Sequence, residues 1–304
     1  TYREAVVHGT SGTAADRLFF IGDPDCEHFP NVQPGVVRVT LSDVNDFATN
    51  GTNVYCIRTN GKDYITWKNV YTDGGSGGID AYNDLNYTYG FHASSESDDF
   101  ELINCVAQSV YYGYRNIAKM VGCSSVACFY HVQNGKIVDK HIALGGYTAF
   151  NAVDLVTNSI GIGMSQNMFY FGDKVYNCFG AGASNGGWSS TGDHLVNLIS
   201  MGMGTVFAGF NDTITPKMSG SYAIGNQYIS RNALTSGIGF GNTYKQWSSD
   251  ANQPVDNEGT TDGSKLHHQK PVILWHQNNL RMLAEALKPT LLNNALRGVG
   301  YSDI

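Results

Sequence analysis

Residues 172–204, GDKVYNCFGAGASNGGWSSTGDHLVNLISMGMG, carry one short phrase twice. Counted from Asp173, alternate places hold Val175, Asn177, Phe179, Ala181 and Ala183; counted from Asp193 they hold Leu195, Asn197, Ile199, Met201 and Met203. From Asp154 they hold Val156, Asn158, Ile160, Ile162 and Met164, and from Asp212 they hold Ile214, Pro216, Met218, Gly220 and Tyr222. An earlier copy reads Leu102, Asn104, Val106, Gln108, Val110. The places between are small or polar, among them Gly161, Gly180, Ser200 and Gly202. Period two is the mark of a strand with one buried face.

Asn158, Asn177 and Asn197 are 19 and 20 residues apart. A unit that short cannot bury its own face, so neighbouring units must stack. An amide in an apolar column is costly alone. Repeated one strand spacing above the next, about 4.8 Å, amides can bond to each other or to the turn backbone. The expected architecture is therefore all-β: a right-handed parallel β-helix of about eight or nine coils. Weaker coils are expected near residues 120–128 and 138–144, where Lys140 and His141 interrupt the apolar column. The Leu pattern of leucine-rich repeats is missing, and a propeller needs a longer period.

Composition agrees. Charged residues are 15% of the 304, and Gly (36), Tyr (18) and Phe (14) are abundant, which favours strands and tight turns over helices. A net charge of −7 argues against a nucleic-acid partner, which needs clustered Lys and Arg. No apolar run reaches the length of a membrane-spanning helix, so no membrane insertion is expected, and no secretory signal is visible. A start at Thr1 fits a fragment or a processed product. The six cysteines form no CxxC pair, so buried free thiols are expected rather than a metal centre. The nine histidines lack metal-binding spacing, and neither a metal nor a cofactor is expected.

Three segments leave the repeat. Residues 1–35 read as an N-terminal cap, and 36–230 as the β-helix, with a wall insertion at 72–99. Residues 231–304 read as a C-terminal cap or oligomerisation segment, partly helical where Leu280, Leu283 and Leu287 share a face. Long insertions on a regular scaffold are usually functional.

The Gly- and Asn-rich repeat of residues 36–230 resembles bacteriophage tailspike and receptor-binding proteins. That resemblance implies a homotrimer carried on the virion, as tail or fibre, and made in the host cytoplasm. It implies recognition of a bacterial surface polysaccharide, often with cleavage by paired carboxylates. Two alternatives share the solenoid: a non-catalytic adhesin or structural fibre, and a free-standing polysaccharide lyase or epimerase.

Glycosidic cleavage needs two carboxylates, one protonated and one ionised. Glu96, Asp98, Asp99 and Glu101 are the catalytic candidates, at the end of the insertion and in the coil after it. Asp80, Asp84, Tyr87, Tyr89, His92 and Tyr112 are expected to bind glycan, since ring faces pack on sugar C–H faces while acids bond to hydroxyls. Trp188, among turn residues in NGGWSSTG, is a further candidate sugar platform. The column Asp154, Asp173, Asp193 and Asp212 reads as turn chemistry rather than catalysis, because Gly or Asn precedes three of its members.

Overall fold

The computed structural model describes residues 6–23, 37–40, 53–74, 87–94, 99–183, 188–196 and 198–201, and six short strands between 210 and 246. Among the described residues every regular element is a strand. The predicted C-terminal helix lies outside them. The chain divides after Ile142 into two compact units.

Strands of the first unit stack in three parallel columns. Column one is β1 (Val6–Val7), β4 (Val54–Arg58), β7 (Thr88–His92), β10 (Tyr112–Arg115) and the later half of β12 (Ser124–Gln133). Column two is β2 (Leu18–Ile21), β5 (Ile65–Lys68), β8 (Phe100–Ile103), β11 (Lys119–Val121) and β13 (Ile137–Asp139). Column three is β3 (Val37–Thr40), β6 (Val70–Asp73), β9 (Val106–Gln108) and the earlier half of β12. The chain visits the columns in turn, so each circuit lands on the one before. Leu18–Ile21 already lies in register with β5, so the stack begins within the first 35 residues.

The second unit repeats the scheme with β14 (Ile142–Asn151), β15 (Leu155–Thr157), β16 (Ile160–Tyr176), β17 (Phe179–Ala181), β18 (Trp188–Val196) and β19 (Ile199–Met201). It continues with β20 (Phe210–Asp212), β21 (Lys217–Ser219), β22 (Ser221–Ile224), β23 (Tyr228–Ser230), β24 (Gly237–Phe240) and β25 (Tyr244–Gln246). Val156 pairs with Val175, Val175 with Leu195, and Leu195 with Met218. Ile160 pairs with Phe179, then Ile199, then Tyr222. The coil counted from Asp212 is therefore displaced from the sequence alignment: Met218 stands over Leu195, not over Ile199. Extra residues between β19 and β21 account for the offset.

Corners explain the asparagines. Among the described residues twelve non-glycine positions have positive φ, and seven are Asn: 60, 69, 104, 116, 134, 158 and 177. The left-handed conformation turns the chain in a single residue, and Asn tolerates it best after Gly. Asn69, Asn104, Gly122 and Lys140 each follow a strand of column two, all with φ between 51° and 64°. A Cβ on Gly122 would come within 2.5 Å of Asn104 Oδ1, so a larger residue there would displace the Asn104 side chain. Asn177 Nδ2 donates to Asn158 Oδ1 at 3.3 Å, the ladder expected from the repeat. A second ladder joins Asn134 Nδ2 to Asn116 Oδ1 at 3.2 Å, between columns one and two. Asn197 lies outside the described residues.

The corner also changes the phase of the strand. Val175 is buried before Asn177, but Cys178 and Gly180 take the buried places after it, and Phe179 between them is half exposed. Strict alternation through the asparagine is thus broken at every corner. Residues directly after it are small enough to sit against the next circuit: Cys105, Cys123 and His141 in the first unit, Ser159 and Cys178 in the second, all fully buried. The Cys105 amide donates to Cys123 Sγ, and the Ser159 amide to Cys178 Sγ, each at 3.4 Å. The five described cysteines are free and buried. Lys140 and His141 do not interrupt the coil: one forms the corner and the other fills the interior.

The first unit's interior is dense. Leu102, Met120 and Val138 stack in column two, fully buried. Phe91 stacks on Tyr114 with ring centroids 5.3 Å apart. The Tyr114 hydroxyl lies 2.9 Å from the Cys105 carbonyl and 2.6 Å from that of Ser124, donating its proton between them. In the second unit Phe150 stacks on Phe169 at 4.5 Å.

Candidate functional site

Column one carries a four-residue theme: Tyr55-Cys-Ile-Arg58, Tyr89-Gly-Phe-His92, Tyr112-Gly-Tyr-Arg115 and Tyr130-His-Val-Gln133. The two middle residues of each are buried. A Cβ on Gly113 would meet the His131 carbonyl at 2.7 Å and Cys128 Sγ at 3.3 Å, which explains the small residue beside a buried Tyr114. The outer members, tyrosine at one end and Arg58, His92, Arg115 or Gln133 at the other, form rows along the stack.

Tyr55, Tyr89, Tyr112 and Tyr130 stack one above another at 4.8, 5.0 and 5.4 Å, within 20° of parallel. A second row runs Tyr87, Tyr111, Phe129, with centroids 4.6 and 4.7 Å apart. These rings form a cluster of their own. Each stacked pair adds about 0.5–1.5 kcal/mol beyond area burial, so the rows tie successive circuits together. Tyr89 and Tyr112 are 1% and 7% exposed, while Tyr55, Tyr87, Phe129 and Tyr130 are only half-buried and supply the reachable edges.

The cations line the rings. Arg58 lies over Tyr55 at 4.7 Å, and Arg115 over Tyr112 at 4.7 Å and Tyr89 at 5.5 Å. Arg115 Nη1 donates to Tyr89 Oη at 2.7 Å. Burial pushes the Tyr89 hydroxyl up to about 12, against the opposing pull of Arg115. His92 stands between the two arginines in register and touches Tyr55 and Tyr89. Burial, reinforced by the charges of Arg115 and Arg58, lowers its pKa to about 4, so the ring is neutral near pH 7.

The glycan-binding candidates Tyr87, Tyr89, His92 and Tyr112 thus meet on one surface. The sequence reading did not include Tyr55, Arg58, Arg115, Phe129 or Tyr130 in that group. Trp188 opens β18 in the second unit, paired with Phe169 and Phe210; its side chain lies outside the described residues. So do Asp80, Asp84, Glu96 and Asp98. Asp99 and Glu101 sit at column two, where Arg17 Nη1 lies 3.4 Å from Asp99 Oδ1 and 3.8 Å from Glu101 Oε1. Asp154 is exposed at a bend before β15, whereas Asp173 is exposed within β16, at a register shift against β18 rather than at a turn. Among the described residues no cluster of three or more His, Cys, Asp or Glu could hold a metal ion.

No described strand residue of column one is a carboxylate. The described surface offers ring edges, two guanidinium groups and the His92 imidazole. Compared with protein-family models, with curated proteins and with solved structures, the chain matches none.

Proposed function

We propose that the protein binds a bacterial surface polysaccharide along column one, as a tailspike-like host-recognition protein built on a right-handed parallel β-helix. The observation that carries the binding reading is the double row of seven aromatic rings edged by Arg58, His92 and Arg115. A glycan chain laid along the stack meets a ring at every circuit, which suits a repeating ligand. The parallel pairing supports the right hand, since crossovers between parallel strands are overwhelmingly right-handed. The same reading places the protein on a virion as a homotrimer.

A second reading adds cleavage. Residues 75–86 lead directly into β7 and residues 95–98 follow it, so Asp80, Asp84, Glu96 and Asp98 belong to segments adjoining the aromatic surface in sequence. The test is incubation with purified capsular and lipopolysaccharide glycans, reading both binding and release of reducing ends. Binding without cleavage supports the adhesin form of the proposal. Cleavage abolished by Glu96→Gln or Asp98→Asn supports the depolymerase form. Absence of binding to every bacterial glycan overturns both.

A further inference from the structure

Arg58, His92 and Arg115 occupy equivalent places on three successive strands of column one. Two strand spacings separate the arginine positions, about 9.6 Å. Both guanidinium groups lie over tyrosine rings, with the Cζ atom 4.7 Å from the ring centroid, which restricts their positions before any ligand arrives.

The row lacks anions. Arg17 has Asp99 and Glu101, and Arg38 has Asp73, whereas neither Arg58 nor Arg115 has a carboxylate within ion-pair reach among the described residues. Arg58 Nε, Arg115 Nε and His92 Nδ1 are each buried without a hydrogen-bond partner, and His92 is 9% exposed overall. Buried polar atoms in native structures are nearly all paired. Arg38 Nε beside its carboxylate and Gln133 Oε1 on this same row are also without a partner, so what sets Arg58 and Arg115 apart is that neither guanidinium has a described carboxylate to neutralise it. Arginine presents a planar fork that matches a carboxylate or phosphate in a bidentate manner.

Resting on the glycan reading above, we infer that the polysaccharide is anionic, and that Arg58 and Arg115, with His92 between them, read acidic groups recurring along its chain. The aromatic rows hold the sugar rings, and the cation row sets the register. The shared chemistry is an oxyanion, carried either as a carboxylate on an acidic sugar or as a phosphate substituent.

The experiment is a binding screen of the full chain against immobilised acidic and neutral bacterial polysaccharides, at low and high salt. Each acidic ligand is also presented after carboxyl reduction and after removal of phosphate. The expected result is binding confined to acidic members, weakened by salt, and weakened at least about tenfold by Arg58→Lys or Arg115→Lys. Both variants keep the charge while losing the fork, and an unchanged melting temperature separates a binding role from a structural one. Loss on carboxyl reduction assigns an acidic sugar, and loss on removal of phosphate assigns a phosphate. Equal binding of neutral polysaccharides, unaffected by the lysine variants, overturns the inference and leaves the glycan reading standing. Binding to none overturns both.

Discussion

Two histidine clusters occupy opposite sides of the first unit's strands, and they are built differently. Inside, Ser125 Oγ lies 2.7 Å from His131 Nδ1 and 2.8 Å from His141 Nε2, with all three residues fully buried. The hydroxyl donates to one ring and accepts from the other, so one short side chain joins two circuits. Burial, then the neighbouring His131, holds the His141 pKa well below its ordinary value. Outside, His92 sits between two arginines with nothing playing the part of Ser125. A bridged buried network belongs to the coil's own stability, whereas an unbridged one is open to a partner from solution.

That contrast can be broken most forcefully with acid. His92 and His8 are both held at about 4 by burial, against 6.5 when unfolded. As pH falls below 6.5 the unfolded chain takes up these protons first. These two groups should therefore lower stability between about pH 6.5 and 4, by about 3 kcal/mol each, with the depressed His141 adding to the loss. Urea unfolding across that range checks it, and His92→Gln should remove one such share. An unchanged slope in that variant contradicts the assignment.

Ser125→Ala should come next. It strips the bridge from two buried rings and should destabilise by about 2–3 kcal/mol without altering ligand binding. The corners follow. Asn134→Ala and Asn177→Ala lose a ladder hydrogen bond and put alanine, which tolerates the left-handed region less well than asparagine, at positive φ, for about 1–2 kcal/mol each. Asn177→Gly keeps the turn and loses only the bond, so it should fall nearer 1 kcal/mol. Equal losses for alanine and glycine would place the whole effect in the side chain.

On the outer side the order reverses. Arg58→Gln should change stability by under about 1 kcal/mol, and Arg115→Gln, which also strips a hydrogen bond from buried Tyr89, by about 1–3 kcal/mol, while each weakens binding of an acidic polysaccharide, read by calorimetry. Asp99→Asn should have the smallest effect. It weakens a part-exposed pair with Arg17, for at most a few tenths to about 1 kcal/mol, and leaves binding unchanged.

The parallel stack was legible because its period is nearly constant where the repeat was read: Val156, Val175 and Leu195 are in register, and Asn158 and Asn177 share a ladder. The reason for asparagine was only half legible. Its amide chemistry was expected, but the left-handed turn that favours it also flips which residues face inward, and alternation counted through the corner missed this. The cysteines carried an unused signal, since Cys105 and Cys123 recur at the coil period directly after corner residues.

Column one was hidden for a different reason. Tyr55, Tyr89, Tyr112 and Tyr130 stand in register, yet segments of unequal length separate them in sequence. A spacing search sees no repeat there, and only the pairing brings the rings together. Tyr87, Tyr89, His92 and Tyr112 were named from their closeness to acidic residues, whereas the cations beside them turned out to be the neighbours that matter in the described structure.

Everything rests on successive circuits lying parallel and in register, and a pair of surface cysteines tests this directly. Lys119 and Ile137 are exposed register partners on β11 and β13, one strand spacing apart, about 4.8 Å, within the range a disulfide spans. Lys119→Cys with Ile137→Cys should cross-link readily on mild oxidation without lowering the melting temperature, while Lys119→Cys with Lys140→Cys should not. Failure of the first pair, or equal cross-linking of both, would contradict the stacked parallel coil.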